Sequence, residues 1–250
     1  MGAALVAVVG GAINSIAGGG TLVTFPMIVA LGISPLVANA TNTMALWPGA
    51  FGSVWGYRAQ FAPIKRLMPR FSLASLLGGV AGGLLLLKTG NDRFQQIVPF
   101  LILGATILFM LQAPLTQALR SRIDPTPLPE LAQAPWGFVA GQFLVGVYGG
   151  FFGAGIGILM LAVLGLMGFT DIHQANALKV WGAWLANMVA GLVFAVSGVV
   201  NWPLALVMAV GATLGGYWGS RMAQRVGQVW VRRMVVAVGL GAFVWLLFRR

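Results

Sequence analysis

Residues 2–31, GAALVAVVGGAINSIAGGGTLVTFPMIVAL, contain no charged side chain and are apolar almost throughout. The stretch exceeds the ~20 residues that a helix needs to cross ~30 Å of hydrocarbon. Three consecutive glycines, Gly18, Gly19 and Gly20, interrupt it, and each costs a helix roughly 1 kcal/mol relative to alanine. The stretch therefore predicts an apolar helix that unwinds at the glycines and starts again near Thr21.

The whole chain has the composition of a membrane protein. Of its 250 residues, 59% are hydrophobic and 8% are charged, which leaves too little polar surface to cover a soluble domain. The basic residues behind the net charge of +11 lie mostly in short connectors, so we expect a lipid bilayer and no nucleic acid as partner. With no cysteine and one histidine, the sequence predicts neither a metal site nor a cofactor.

Eight apolar segments follow one another along the chain and predict an all-α integral membrane protein. They cover residues 2–31, 35–57, 67–88, 93–112, 136–167, 172–199, 202–223 and 229–248. The longest connector, residues 113–135, is rich in proline and charged residues and predicts a polar linker. The linker divides the chain into a first transmembrane repeat, residues 1–112, and a second, residues 136–250.

The two halves resemble each other when the sequence is aligned with itself at an offset of 137 positions, which places Trp47 on Trp184 and Asn39 on Asn176. The same ungapped offset matches several glycines: Gly18 with Gly155, Gly20 with Gly157, Gly78 with Gly215, Gly79 with Gly216, Gly82 with Gly219 and Gly104 with Gly241. A register unbroken over roughly a hundred residues is typical of an internal duplication. The second repeat is thus expected to have its own broken helix, starting again near Ile158.

Basic residues suggest how the two halves are oriented in the membrane. In the first half the connector after the second segment is basic, and in the second half the basic connector comes one segment later. These residues are Arg58, Lys65, Arg66 and Arg70, and Arg221, Arg225, Arg232 and Arg233. If both connectors face the cytoplasm, the halves are inverted and residues 136–167 form a re-entrant hairpin. A plain bundle of eight spans with parallel halves is the alternative.

A lysine inside an apolar segment marks a candidate site. Lys179 lies about seven residues into its segment, ~10 Å from the segment's start, and ionisable groups at such depth usually mark a substrate or ion path. The alternative is that its long side chain snorkels to the membrane interface. Asn42 holds the matching place in the first half.

The half-helices that start after the two breaks would direct their positive ends at an anion. We therefore expect a small anionic substrate to bind between the two broken helices. The predicted binding residues are Gly18, Gly19, Gly20, Thr21, Asn39, Thr41, Asn42, Gly155, Gly157, Asn176, Lys179 and Asn187. Each asparagine has the alternative role of an interhelical hydrogen bond, and the other glycines matched between the halves have the role of close helix packing. Trp47 and Trp184, at matched interior positions, line the path or simply pack.

The sequence offers no obvious energy coupling or catalytic motif. All four carboxylates fall in connectors, so no buried acid is available to carry a proton, whereas an anion leaving a negative-inside cell gains ~2.3 kcal/mol per charge per 100 mV. Export is therefore the favoured direction. Without a nucleotide-binding G-x-x-x-x-G-K-[ST] loop or a hydrolase motif, we expect neither an ATP-driven pump nor an enzyme. A non-transporting membrane subunit or scaffold is the alternative.

Motifs in both halves resemble the TauE/SafE sulfite exporter family, also described as the 4-toluenesulfonate uptake permease family. They are Ile16–Leu22, Pro26, Gly32, Pro35 and Ala38–Asn42 in the first half, and Asn176–Lys179, Asn187, Phe194, Gly198, Trp202 and Gly215–Gly219 in the second. The resemblance implies a duplicated permease of the bacterial inner membrane for sulfite, organosulfonates or related anions. The second break reads Gly153-Ala-Gly-Ile-Gly157, and Val163 stands where Pro26 would map, so we expect two unequal half-sites.

Overall fold

The computed structural model describes residues 2–17, 19–122, 136–166, 169, 171–222 and 228–248. In this part of the chain the secondary structure is entirely helical, which confirms the all-α prediction. The helices are α1 (Gly2–Ala17), α2 (Gly20–Ala30), α3 (Pro35–Gly56), α4 (Phe61–Ile64), α5 (Met68–Arg122), α6 (Trp136–Phe151), α7 (Ile156–Leu166), α8 (Ile172–Val196), α9 (Trp202–Met222) and α10 (Gln228–Phe248), with a 3-10 turn at Arg58–Gln60.

Both predicted breaks separate two helices. The first lies between α1 and α2, and α2 begins at Gly20 rather than Thr21. The second lies between α6 and α7, and α7 begins at Ile156, two residues before the expected restart. Gly153 and Gly155 have φ angles of +77° and +78°, in the left-handed region where a side chain is strained. Glycine at these two positions therefore allows the chain to turn out of α6 and into α7.

Each broken segment folds back on itself as a helical hairpin. Gly149, just before the second break, contacts Ile156 just after it, and Gly141, about two turns earlier, contacts Val163 about two turns later. In the first repeat, Gly10 of α1 lies directly against the Thr24 side chain of α2. The two helices of each pair thus run in opposite directions.

Helix α5 folds back at Gly90, where φ is 71° and ψ is 169°. Gly79 and Ala105 would lie about 39 Å apart on a straight helix. They instead contact Gly150 and Gly155, which can be no more than about 19 Å apart along five residues. We call residues 68–89 the first arm of α5 and residues 91–122 its second arm.

The second arm continues past the predicted end of the first repeat at residue 112. Residues 115–122, LTQALRSR, are mostly good helix formers, so the first ten positions of the predicted linker are helical. The remainder of the linker, with its closely spaced prolines, lies outside the described residues.

Each repeat packs its first helix against the other repeat. The first arm of α5 meets α6 so closely that a methyl group on Gly78 or Gly82 would collide with the backbone of α6. At the equivalent contact, a methyl group on Gly215 of α9 would collide with the backbone of Val8 in α1. These glycines therefore allow close helix approach, and the packing is exchanged between the two halves in a pseudo-symmetric way.

Equivalent helices of the two repeats meet in opposite directions. Trp47 of α3 contacts Trp184 of α8 with ring centroids 6.0 Å apart, whereas Met44, earlier on α3, contacts Gly191, later on α8. The second arm of α5 and its equivalent α10 also run in opposite directions. Thr106 contacts Gly239, and the earlier Phe100 lies 6.4 Å from the later Phe243.

The outer surface carries apolar side chains at matched positions. Leu73 and Leu77 on the first arm of α5 are 57% and 54% exposed, and their equivalents Val210 and Leu214 on α9 are 63% and 52% exposed. Among the described residues, two helices are long and apolar enough to cross a membrane: the two-armed α5, from Met68 to Leu111, and α8, from His173 to Val196. Apolar faces turned outward in both repeats are what a bilayer solvates.

Candidate functional site

The two breaks lie beside one another against the second arm of α5. Gly19 in the first break packs against the Phe109 ring, and Gly155 in the second packs against Ala105, one helical turn away. Phe25 of α2 and Phe152 of the second break meet edge to face with ring centroids 5.5 Å apart. The fold thus brings the first residues of α2 and α7 into one region.

A threonine ties the first break to α3. The Thr24 hydroxyl is fully buried, lies 3.0 Å from the Gly20 carbonyl oxygen and lies 2.6 Å from Asn42 Oδ1. A hydroxyl group has one proton, so it donates to one of these acceptors at a time. Gly19 and Gly20 are buried and Thr21 is half-buried, while Gly18 lies outside the described residues.

Two polar residues of α3 reach other helices. Asn39 Nδ2 donates to the carbonyl oxygen of Phe151, 3.1 Å away at the end of α6. Thr41 Oγ1 accepts a 3.0 Å hydrogen bond from the backbone N–H of Asn201, just before α9. Asn39 therefore connects the first repeat to the second break, in the interhelical role that was one of its two expected functions.

Tyrosine closes the turn of the second break. The Tyr148 hydroxyl donates to the carbonyl oxygen of Ala154 at 2.6 Å, and the Tyr148 carbonyl accepts from the N–H groups of Phe152 and Gly153 at 2.9 and 3.1 Å. These bonds satisfy backbone groups that would otherwise be unpaired at the end of α6. They hold the break in one conformation.

Two predicted residues of α8 lie along the start of α7. Asn187 Oδ1 lies close to Gly153, and a methyl group on Gly157 would be 3.2 Å from Lys179 Cδ. Asn187 Nδ2 donates to the Ala183 carbonyl oxygen at 2.8 Å. Asn176, one turn before Lys179, is half-buried. Four predicted residues therefore lie at or beside the start of α7: Gly155, Gly157, Lys179 and Asn187.

The two half-sites differ in charge at equivalent positions. In the first repeat Asn42 bonds to Thr24 on α2, whereas in the second Lys179 packs its stem on Gly157 of α7 and Leu161 replaces the threonine. Within the described part of the chain, the Lys179 ammonium has neither a hydrogen-bond nor an ion-pair partner. A positive side chain thus lies beside the positive end of α7, an arrangement that favours an anion between them.

Thr24 and Tyr148 are the polar residues that the sequence prediction missed. Thr24 stands one turn after Gly20 in an otherwise apolar stretch, and Tyr148 stands one turn before Phe152. Polar groups one turn from a helix break are placed to bond its freed backbone groups. That spacing was the available signal for both.

Comparison with known proteins places this chain in a recognised family. The family described as "Sulfite exporter TauE/SafE" matches residues 3–246. The probable membrane transporter protein YfcA of Escherichia coli K12 is 32% identical over 235 residues, covering 93% of this chain and 84% of that protein. The probable membrane transporter protein ORF9 of Sinorhizobium sp. is 32% identical over 244 residues, covering 96% and 89%. No solved structure matches the chain.

These matches define a multi-pass transporter of the bacterial inner membrane. The chain belongs to the TauE/SafE sulfite exporter family, as the motifs of both halves predicted. A more distant relative, the probable membrane transporter protein YunE of Bacillus subtilis, is 25% identical over 236 residues. The relatives are named as transporters, and their names specify no substrate.

Proposed function

We propose that this protein is a permease that exports a small sulfur-containing oxyanion, sulfite or an organosulfonate, through a site between the two hairpins. The observation that carries the proposal is Lys179, a lysine in an apolar helix that packs against Gly157 at the start of α7. Gly155 and Asn187 complete the half-site on the second repeat. Gly19, Gly20 and Asn42 form its uncharged counterpart.

Electrostatics supports an anionic substrate. A cation in a poorly solvated site is costly unless an opposite charge compensates it, and the four carboxylates of the chain fall in the connectors between the predicted segments. The N-terminal end of α7 adds a partial positive charge in the same place. An oxyanion binding here would neutralise the ammonium and accept hydrogen bonds from it.

The hairpins also support inverted repeats. Suppose that α1 with α2, and α6 with α7, enter and leave the membrane on one side. Each repeat then crosses the membrane three times, the first by α3 and the two arms of α5 and the second by α8, α9 and α10. An odd number of crossings per repeat places equivalent helices in opposite orientations. This agrees with the opposed directions of α3 and α8 and brings both basic connectors to the cytoplasm. Eight separate spans with parallel halves would not give this arrangement.

Export follows from the membrane potential. Neither α3 nor α8 contains an acidic side chain, so these helices offer no group to carry a proton inward with the substrate. An anion instead leaves a negative-inside cell downhill by ~2.3 kcal/mol per charge per 100 mV. The proposed direction therefore needs no coupling residue.

The decisive test is flux through purified protein in proteoliposomes, with sulfite, sulfate, thiosulfate and 4-toluenesulfonate as separate probes. Lys179→Met keeps an unbranched stem over Gly157 while removing the charge, and Lys179→Ala removes both. We expect both variants to lose at least about tenfold in flux, as expected for a lost charge-assisted hydrogen bond, with near-normal protein abundance. Wild-type flux in Lys179→Met would refute the site, and absence of flux for every probe in the wild type would favour a scaffold.

A further inference from the structure

Two buried indole N–H groups lack a hydrogen-bond acceptor at the contact between the repeats. Trp47 on α3 and Trp184 on α8 occupy equivalent positions, and their rings are 6.0 Å apart with an interplanar angle of 32°. The Nε1 atom of each ring is buried and has no partner. They are equivalent atoms in the same state on both sides of the pseudo-symmetric contact.

Packing alone does not account for this pair. Leaving a buried donor unpaired costs about 1–3 kcal/mol, and here two donors at matched positions are unpaired. The neighbouring Trp181 shows that the same helix can satisfy an indole, because its Nε1 donates to Ser72 Oγ at 2.8 Å. Trp181 also stacks on Trp184 with centroids 5.8 Å apart, so the two rings share surroundings but differ in hydrogen bonding.

The chemistry of indole restricts the missing partner to an acceptor. Indole Nε1–H donates one hydrogen bond and accepts none, so a cation or a simple donor does not fit. Two unpaired donors on contacting rings, in a poorly hydrated place, are complementary to an oxyanion, which forms short, charge-assisted bonds. Trp184 lies one turn before Asn187 on α8, which places the pair next to the second break.

A continuous row of aromatic rings connects the pair to the basic connector. Trp184 stacks on Trp181, and Trp181 meets Phe61 edge to face at 5.7 Å. Phe61 begins α4, which is flanked by the exposed Arg58 and Lys65. A row of aromatic rings therefore joins the two indoles to a positively charged surface.

We propose that the indole N–H groups of Trp47 and Trp184 form a second oxyanion-binding position of the permease, between the repeats and distinct from the Lys179 position. The inference rests on the proposed transport of an oxyanion and assigns its path a further, uncharged site. Neutral donors bind an anion without the strong attraction of an ammonium. A weaker position of this kind next to a charged one would let the substrate move on rather than remain bound.

The test combines transport with a direct view of the indoles. In proteoliposomes containing Trp47→Phe, Trp184→Phe or both, each substitution keeps a six-membered aromatic ring and removes the pyrrole ring with its N–H. We therefore expect the KM for sulfite to rise about tenfold per substitution. Trp181→Phe is the matched control, because its N–H already has a protein acceptor, and its KM should stay near the wild-type value. Equal KM values for Trp47→Phe and wild type, or an equal rise in Trp181→Phe, would overturn the proposal.

Indole N–H resonances of isotope-labelled protein in detergent provide the second readout. Sulfite, thiosulfate or sulfate should shift the resonances of Trp47 and Trp184, assigned from the Phe variants, and leave that of Trp181 unchanged, whereas chloride should shift none. If no oxyanion shifts them, they bind only water or nothing and the inference fails. Resonance shifts without flux would support the indole position and refute transport. Flux that needs Lys179 but not the indoles would support transport and refute the indole position.

Discussion

Thr24 shows how one hydroxyl links a helix break to its neighbour. Its Oγ1 is within hydrogen-bond distance of both the Gly20 carbonyl and the Asn42 amide, in a site without exposure to solvent. Asn42 is itself only 1% exposed. The hydroxyl therefore stabilises the first half-site internally, where the second half-site has a lysine.

Substituting Thr24→Val should destabilise the protein more than its change in size suggests. The valine keeps the shape but leaves the buried Asn42 amide unpaired, which costs about 1–3 kcal/mol. Thermal unfolding of the protein in detergent measures the loss. Thr24→Ser keeps the hydroxyl and is the control; a Thr24→Val midpoint equal to that of Thr24→Ser would show that the bond contributes nothing.

Residue identity alone indicated part of the proposed site. Lys179 stood out because a charge in an apolar segment is rare, and the structure does place it against Gly157 at the second break. Thr24 did not stand out, because threonine is common in apolar helices and its value depends on which residue faces it. The unpaired state of Trp47 and Trp184 is likewise a property of the fold and has no sequence signature.

At the scale of elements, close contact between helices depends on glycines, which have no side chain to separate the two backbones. Gly78 in the first arm of α5 and Gly215 in α9 are equivalent, and each faces the backbone of the other repeat's first helix. Gly104 and Gly241 are also equivalent, but nothing lies within 4 Å of the position of an added methyl group. The chain thus supplies two matched pairs of glycines with opposite surroundings.

Alanine substitutions at these four glycines should distinguish the effect of helix–helix packing on stability from the effect of intrinsic helix propensity. Gly78→Ala and Gly215→Ala force two backbones apart, which should cost about 1–3 kcal/mol each and lower abundance in the membrane. Gly104→Ala and Gly241→Ala should be neutral or gain up to ~1 kcal/mol. Detergent thermal stability of the four variants checks this; a similar effect in both pairs would mean that the helix contacts are not as close as described.

The turn of the second break should be sensitive to the same change for a different reason. Gly155 has a positive φ of 78° but ample space near Ala105, so Gly155→Ala introduces backbone strain of about 1–2 kcal/mol without a collision. We expect reduced flux together with a modest loss of thermal stability. Gly104→Ala again serves as the unstrained control, and unchanged flux and stability in Gly155→Ala would argue against a fixed turn.

Element boundaries show what periodicity and composition can and cannot predict. The breaks were predicted to within two residues because closely spaced glycines oppose helix formation. The return of α7 along α6 was expected only if the halves are inverted, and the return of α2 along α1 was not expected, since a glycine permits a straight continuation, a kink or a reversal equally well. Contacts such as Gly141 with Val163 decide among these, and they join residues on either side of the break.

At the scale of the whole molecule, the proposed inverted repeats make a prediction about which side of the membrane each connector faces. The native chain has no cysteine, so single cysteines can be introduced without removing any. Lys65→Cys and Ser197→Cys lie in equivalent connectors and are exposed. A membrane-impermeant maleimide added to intact cells should label Ser197→Cys and not Lys65→Cys, and permeabilised cells should label both. Labelling of both from outside, or of neither, would instead support parallel halves.

The exchanged packing of α1 with α9, and of α6 with the first arm of α5, bears on how such a chain arose. A single repeat standing alone would have its glycine-lined helix faces uncovered and its central tryptophan without the matching one. Only a second copy lying upside down beside it would complete both contacts by the same two-fold operation. With the inverted arrangement proposed above, the architecture is the one expected from the fusion of two opposed protomers, and such a fusion would allow each half to acquire its own chemistry, an asparagine in one and a lysine in the other.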